Sequence, residues 1–271
     1  MENRTAVEPA IFDRGEMNLA AEMAKLPEPQ TDKRPPYWEA WRHDLWQHAQ
    51  QDDPHNFMKW PCIYHTMLQD HWREAIGVEA GYLASRIDID AVLPRSLLIR
   101  DKHFLSSWYN LIHQTYHLVR WQEATGLNIA DMTSVYEFGG GYGAMALVCN
   151  RLGFKGKYYI YDLPEFALLQ QWYLGECGVE NVEWVDGLDT TSVDLLIACY
   201  SLSETDYIER DRFLTRTWAK SYLFLYSNKF EDYDNIWFFQ RQGLERHLYG
   251  HNWQHSRIEH LPPESWYTWG W

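Results

Sequence analysis

The apolar positions of this chain follow two regimes that divide near residue 130. Before it, hydrophobic residues recur at helical spacing. Tyr37 to Gln51 crowds Trp38, Trp41, Leu45, Trp46 and His48 along one helix. Phe104 to Thr125 carries apolar residues at 104, 105, 108, 111, 112, 116, 119 and 121. Another helix is predicted from about Asn56 to Glu74, interrupted by Pro61. Beyond residue 130 strand and helix patterns alternate. Strands are predicted at Ser134–Phe138, Lys157–Tyr161, Val182–Val185, Val193–Cys199 and Tyr222–Tyr226. The helices of this half are predicted at Ala144–Leu152, Glu165–Cys177, Tyr207–Lys220 and Asn235–Tyr249. Val193–Cys199 is almost wholly apolar, as expected of a central parallel strand covered on both faces. Edge strands near Gln254–His260 and Ser265–Trp271 bring the count to seven. The expected fold class is α/β, a Rossmann-like and mostly parallel sheet.

Residues 1–36 mix charges with Pro27, Pro29, Pro35 and Pro36 and sustain no period, so they are expected to form an arm with at most one short helix near Glu16–Leu26. The chain then divides into a helical cap over residues 37–130 and the sheet domain over 131–271, with Pro94 marking the boundary before the long approach helix.

Candidate chemistry concentrates where the first predicted strand ends. Val135-Tyr136-Glu137-Phe138 runs into Gly139-Gly140-Gly141-Tyr142-Gly143, and a helix follows. Glycines let the backbone turn sharply and approach a ligand, and the helix amides point into the same space. The second strand is capped by Asp162, placed to accept the hydroxyls of a ribose. Two patterns compete. Gly139-x-Gly141-x-x-Ala144 satisfies a dinucleotide fingerprint, whereas Glu137, Gly139, Gly141 and Gly143 satisfy acidic-x-Gly-x-Gly-x-Gly. Glu137 discriminates between them. A carboxylate suits a cationic ammonium group and would repel a pyrophosphate in a partly desolvated pocket.

With these motifs the chain resembles class I S-adenosylmethionine-dependent methyltransferases, and is most similar to a family of sugar O-methyltransferases. The likeness continues in Tyr161-Asp162-Leu163-Pro164-Glu165, in Ser201-Leu202-Ser203-Glu204 and in Tyr226-Ser227-Asn228, covering roughly residues 95–265 in order. It implies a seven-stranded sheet with an antiparallel last strand, S-adenosyl-L-methionine as cofactor, and a hydroxyl on a free, nucleotide-linked or glycan-attached sugar as acceptor. The cofactor set it implies is Glu137, Gly139, Gly140, Gly141, Tyr142, Gly143, Asp162, Leu163 and Ser201. Asp186 joins this set as a candidate for the adenine edge, although Asp186-Gly187 equally suits a plain turn.

A sugar hydroxyl needs somewhere to send its proton, and Glu204 is the first candidate base. The alternative is that Glu204 caps the following helix. His103, at the start of the approach helix, is the second base candidate. His113 and His117 lie one turn apart, but without an acidic partner in the motif they point to packing rather than to a metal, and no metal is expected. His251 and His255 lie where substrate loops often gather. Pro35-Pro36-Tyr37 is similar to the catalytic motif of amino-methylating DNA enzymes, but it lies far from the fourth strand and is expected only to open a helix.

The net charge of −14 disfavours a protein that tracks nucleic-acid backbones. Neither a leader nor an apolar run of membrane-spanning length is visible, so a cytoplasmic protein without membrane partners is expected. Cys62, Cys149, Cys177 and Cys199 are scattered and suit free thiols. Fifteen Trp and 18 Tyr exceed core needs and are compatible with stacking platforms for sugars or bases. A homodimer is compatible with the sequence. The rival readings are a non-catalytic scaffold of the same fold and an enzyme acting on a modified nucleotide or base.

Overall fold

The computed structural model describes residues 17–30, 36–68, 73–92, 106–185, 191–241, 244, 248, 250–261 and 264–271. Its strands are β1 (Ser134–Phe138), β2 (Lys157–Tyr161), β3 (Val182–Trp184), β4 (Thr191–Cys199) and β5 (Thr217–Ser227). A two-residue pair follows, β6 (Lys229–Phe230) and β7 (Tyr233–Asp234), and then β8 (Trp253–Ile258) and β9 (Ser265–Gly270). Seven strands form one sheet in the order β3-β2-β1-β4-β5-β9-β8. β1 to β5 are parallel, and β9 runs antiparallel to both β5 and β8. This is the expected Rossmann-like, seven-stranded α/β sheet, including its antiparallel last strand.

The strand order reverses between β1 and β4, and in such sheets that reversal opens a crevice at the carboxyl ends. The register makes the crevice a single edge. Phe138 pairs with Tyr161, and Cys199 with Leu225, so the residues after each strand emerge side by side. β4 is buried on both faces: Leu195 and Ile197 join one apolar core, and Leu196 and Ala198 join the other.

Nine α-helices flank this sheet among the described residues: α1 (Leu19–Met23), α2 (Pro36–Gln51), α3 (Pro61–Met67), α4 (Arg73–Leu83), α5 (Ile89–Val92), α6 (Ser106–Thr125), α7 (Ala144–Arg151), α8 (Pro164–Glu176) and α9 (Tyr207–Leu214). α6 packs against α4, α7 and β9, and α2 against α8. Leu45, Phe57 and Trp121, from the early helical region, therefore share one core with Val135 and Trp269 of the sheet.

Several boundaries differ from expectation. The helix expected to reach Lys220 ends at Leu214, and β5 begins at Thr217 rather than Tyr222. Thr217, Ala219 and Ser221 are buried while Trp218 and Lys220 face outward, a period of two that extends the strand to pair with the first half of β4. Within Asn235–Tyr249 the structure shows a π-helical turn at Trp237–Arg241, which buries Phe238 and Phe239 side by side; of its later residues only Leu244 and Leu248 are described. The segment from Asn56 is a 3-10 helix (Pro54–Lys59) and then α3, each opened by a proline. In the arm the helix is confined to Leu19–Met23, capped by Asn18. Pro94 lies outside the described residues. The four cysteines are free thiols; Cys62 and Cys149 are buried, Cys177 and Cys199 partly so. No helix among the described residues is long and apolar enough to cross a membrane.

Candidate active site

Past Phe138 the chain turns through Gly139 (φ 72°) and Gly141 (φ 59°) into α7. A Cβ at Gly139 would lie 2.3 Å from the Cβ of Ser201. Ser201 in turn donates its hydroxyl to the Phe138 carbonyl, so the turn and the loop after β4 are locked together at backbone distance. Only glycine fits there, on grounds of both conformation and space. At Gly141 a Cβ would meet the Met67 thioether at 3.0 Å. Gly140 sits over Glu137 and Gln170, and Gly143 is the N-cap residue of α7.

A cavity of about 620 Å³ opens against this turn. One wall is made by the strand ends and their loops: Glu137, the glycines, Asp162, Leu163, Ser201 and Glu204. The opposite wall comes from the early helices, with Trp38 from α2, Met67 from α3, and Asn110, His113 and Gln114 from α6.

Three carboxyl groups on the strand-end wall, Glu137 buried and Asp162 and Glu204 half-buried, have no cationic partner among the described residues. Glu137, 3% exposed, accepts a hydrogen bond from the Tyr158 hydroxyl at 2.8 Å. Burial nevertheless pushes its pKa up to about 8, with the nearby Asp162 adding to the rise. Asp162 accepts from the Leu163 amide (2.7 Å), the Gly141 amide (3.2 Å) and the Gln170 side chain (2.6 Å). Burial outweighs these donors and raises it to about 7. The carboxylate expected to hold a ribose thus also fastens the glycine turn through Oδ2, while Oδ1, which accepts only from the Leu163 amide, keeps further acceptor capacity. Glu204 ends a 3-10 turn, Ser201–Glu204, and accepts a bond from the Trp38 side chain. Burial raises it to about 7 as well.

The position of Glu204 is fixed from below. Tyr200, which precedes the turn, adopts φ 66°, a strained conformation for a bulky residue. Arg210 of α9 is fully buried and donates to the Ser203 carbonyl (2.6 Å) and the Thr205 carbonyl (3.0 Å), on either side of Glu204. Its third bond goes to Asn235 (2.7 Å), which donates to the Ser227 carbonyl at the end of β5 (2.9 Å). The N-cap of α9 is Asp206, accepting from the Glu209 amide at 2.7 Å, so Glu204 does not serve as the helix cap.

The residues expected to bind cofactor are therefore brought together at one cavity, with differences in role. Tyr142 lines it but packs its ring between Phe57 and Tyr173, and Ser201 spends its hydroxyl on β1. Asp186 and His103 lie outside the described residues. His251 and His255 do not line the cavity; they bond the Ala219 carbonyl and the Thr268 hydroxyl. His113 and His117 bond each other at 2.9 Å, His113 also bonds Glu79 at 2.8 Å, and His117 reaches the Tyr267 hydroxyl. Among the described residues no group of acids, histidines and cysteines could hold a metal ion. Sequence reasoning missed Trp38, Asn110, Gln114 and Arg210. The Trp-rich stripe of α2 was the one signal that pointed to any of them.

No family model and no curated protein matches the chain. Solved structures similar to it include a protein named YcgJ from Bacillus subtilis, at 19% identity over 41% of this chain and 50% of that one, with a TM-score of 0.34. A precorrin-6y C5,15-methyltransferase from Geobacter metallireducens is 12% identical over 63% of this chain and 92% of that one, with a TM-score of 0.42. An S-adenosylmethionine-dependent methyltransferase from Aquifex aeolicus is 15% identical over 68% of this chain and 98% of that one, with a TM-score of 0.43. Likeness at this level assigns no family, and the functional argument rests on the cavity.

Proposed function

We propose that the cavity binds S-adenosyl-L-methionine and that the chain methylates a hydroxyl group of a sugar. The observation that carries this reading is the trio Glu137, Asp162 and Glu204, gathered on one wall with no cationic partner among the described residues. A ligand with cationic ammonium and sulfonium groups supplies the missing charge, whereas a dinucleotide would bring two phosphates against the same carboxylates. The glycine turn fits the group too, since every Cβ it lacks would fall on a neighbour or narrow the approach.

When bound, the cofactor supplies an electrophilic methyl group; the residues of this chain do the rest. Glu137 would hold the ammonium end, and Asp162 the ribose while keeping the turn closed. Glu204 would take the hydroxyl proton, and its raised proton affinity suits a base working near neutral pH. Arg210 keeps the Glu204 loop in place, and the early helices cover the acceptor side. The sugar as acceptor is supported by the Ser-x-x-Glu resemblance and by the aromatic wall.

Calorimetric titration with S-adenosylhomocysteine, with NAD in parallel, tests the cofactor. Binding of the former alone is expected; binding of NAD, or of neither, defeats the proposal. Glu204→Gln should leave that affinity in place and lower turnover by about 10²–10⁴-fold, the usual worth of a positioned base. Equal turnover would remove Glu204 from that role.

A further inference from the structure

The charge of the cavity wall narrows the acceptor. Six acidic side chains face it: Glu39, Glu137, Asp162, Glu204, Asp206 and Glu209. Among the described residues of the wall there is no Lys or Arg. Three of the six are already engaged. Glu39 pairs with Arg42 at 2.9 Å, Asp206 caps α9, and Glu209 lies 3.6 Å from Arg212. Among the described residues the other three meet neutral donors, namely a tyrosine hydroxyl, backbone and side-chain amides, and an indole.

The cofactor end accounts for Glu137 and Asp162, which follow β1 and β2. Glu204 belongs to the loop after β4, on the acceptor side, and remains without a basic partner among the described residues after the cofactor is seated. A phosphate or carboxylate brought beside it would find no guanidinium or ammonium among the described lining residues, and would be desolvated against like charge. Apart from His113, whose ring bonds Glu79, what this side offers is neutral. Asn110, Gln114, Thr66 and Ser227 present amide and hydroxyl groups, and the Gln114 Oε1 is buried with no hydrogen-bond partner, an acceptor that a ligand hydroxyl would satisfy. Trp38 and Tyr161 add flat apolar rings.

We propose, on the basis of the methyl-transfer reading above, that the acceptor is an uncharged, polyhydroxylated glycoside, and that this wall excludes nucleotide-linked sugars, sugar phosphates and uronic acids. The reaction then forms a bond between the acceptor oxygen and the methyl carbon, breaks the carbon–sulfur bond of the cofactor, and leaves the hydroxyl proton on Glu204. No co-reactant is required.

The test uses the full chain loaded with S-adenosylhomocysteine for binding and with S-adenosylmethionine for turnover, at pH 8. The probes are matched sets: methyl glycosides of glucose, galactose and mannose, the corresponding 1-phosphates and uronic acids, and the uridine- or guanosine-diphosphate sugars. A neutral glycoside is expected to bind, and its anionic counterparts at least about tenfold more weakly, as one unscreened like-charge contact would impose. In Glu204→Gln that gap should narrow. An anionic probe that binds or turns over as well as its neutral counterpart overturns the proposal. So does failure of every glycoside to bind while S-adenosylhomocysteine binds, an outcome that leaves the cofactor reading intact. Failure of S-adenosylhomocysteine itself to bind marks the loss of the underlying reading instead.

Discussion

Two sets of buried or half-buried carboxylates occupy this molecule, and they are built on opposite plans. Glu79, Glu165 and Asp194 each meet a basic side chain. Glu79 lies 2.8 Å from His113 and 3.0 Å from His260. Glu165 takes a two-pronged bond from Arg42 at 2.9 and 3.0 Å. Asp194 lies 2.7 Å from Lys220 and ties the start of β1 to β4 through Thr133. Glu137, Asp162 and Glu204 meet none among the described residues, and all three face the cavity. Burial acts on both sets, but the pairing reverses its outcome. His113 and His260 outweigh it at Glu79, and Lys220 with Thr133 outweighs it at Asp194, so both lie below their ordinary values. The cavity acids lie above theirs. Ions that hold the fold together come with their partners, while those that hold a ligand wait for it.

The largest effect should come from breaking a completed pair. His113→Leu leaves Glu79 buried with His260 and removes one partner of His117, which keeps the Tyr267 hydroxyl. His117 is neutral at ordinary pH, because burial pushes its pKa down, so it cannot take over the charge. Loss of one partner of a buried ion pair typically costs about 3–5 kcal/mol. Urea denaturation of the unliganded protein should show a loss of that size, and Glu204→Gln should cost far less. Equal losses for the two variants would erase the distinction between the sets.

An effect smaller per group and per pH unit, and opposite in sign, follows from the cavity set. A carboxyl whose folded pKa is raised holds its proton in the native state where the unfolded chain has already lost it. The unliganded protein should therefore lose stability as pH rises from the ordinary carboxyl range toward 7 for Asp162 and Glu204 and toward 8 for Glu137. The slope for each group approaches about 1.4 kcal/mol per pH unit. Glu79 works the other way: its contribution is present above its unfolded pKa and is lost as pH falls through the lowered folded value. An incoming ammonium draws the proton off Glu137, so S-adenosylhomocysteine binding near pH 7 should release protons. Calorimetry in buffers of different ionisation enthalpy reads this directly. Glu137→Gln should reduce the release and weaken binding by about 1.5–3 kcal/mol, the worth of a bond to a charged group. Proton uptake, or the same release in the variant, would contradict the assignment.

How much of this was legible in the chain depended on sequence distance. The β1–glycine turn–α7 unit and the Asp162-Leu163-Pro164 helix entry are local, and their residue types fix their geometry within a few positions. They were placed correctly, as were the seven strands. Glu204 was found as a residue but not as a position. What orients it is Trp38, from the second helix, and Arg210, whose carbonyl bonds leave no mark in a motif. Glu79, His113 and His260 are separated by 34 and 181 residues, and only folding shows that the H-x-x-x-H spacing serves an ion pair. Helix α9 was drawn too long because Arg216-Thr217-Trp218-Ala219-Lys220 fits either period; the pairing of Thr217 and Ala219 with β4 decided it.

The smallest predicted effect lies on the border between the two sets. Asp206 lines the cavity two residues beyond Glu204, yet its carboxylate is already spent on the Glu209 amide. It should behave as a structural residue in spite of its place on the wall. Asp206→Ala is expected to lower stability by about 1 kcal/mol, the typical worth of an N-cap, and to leave S-adenosylhomocysteine affinity unchanged. Glu204→Gln should lose turnover and keep stability. Denaturation and calorimetry on the two variants side by side separate these roles. Weakened binding with unchanged stability in Asp206→Ala would place it among the ligand-holding acids. The rule that an engaged carboxylate belongs to the fold would then fail at the position where the cavity puts it under most strain.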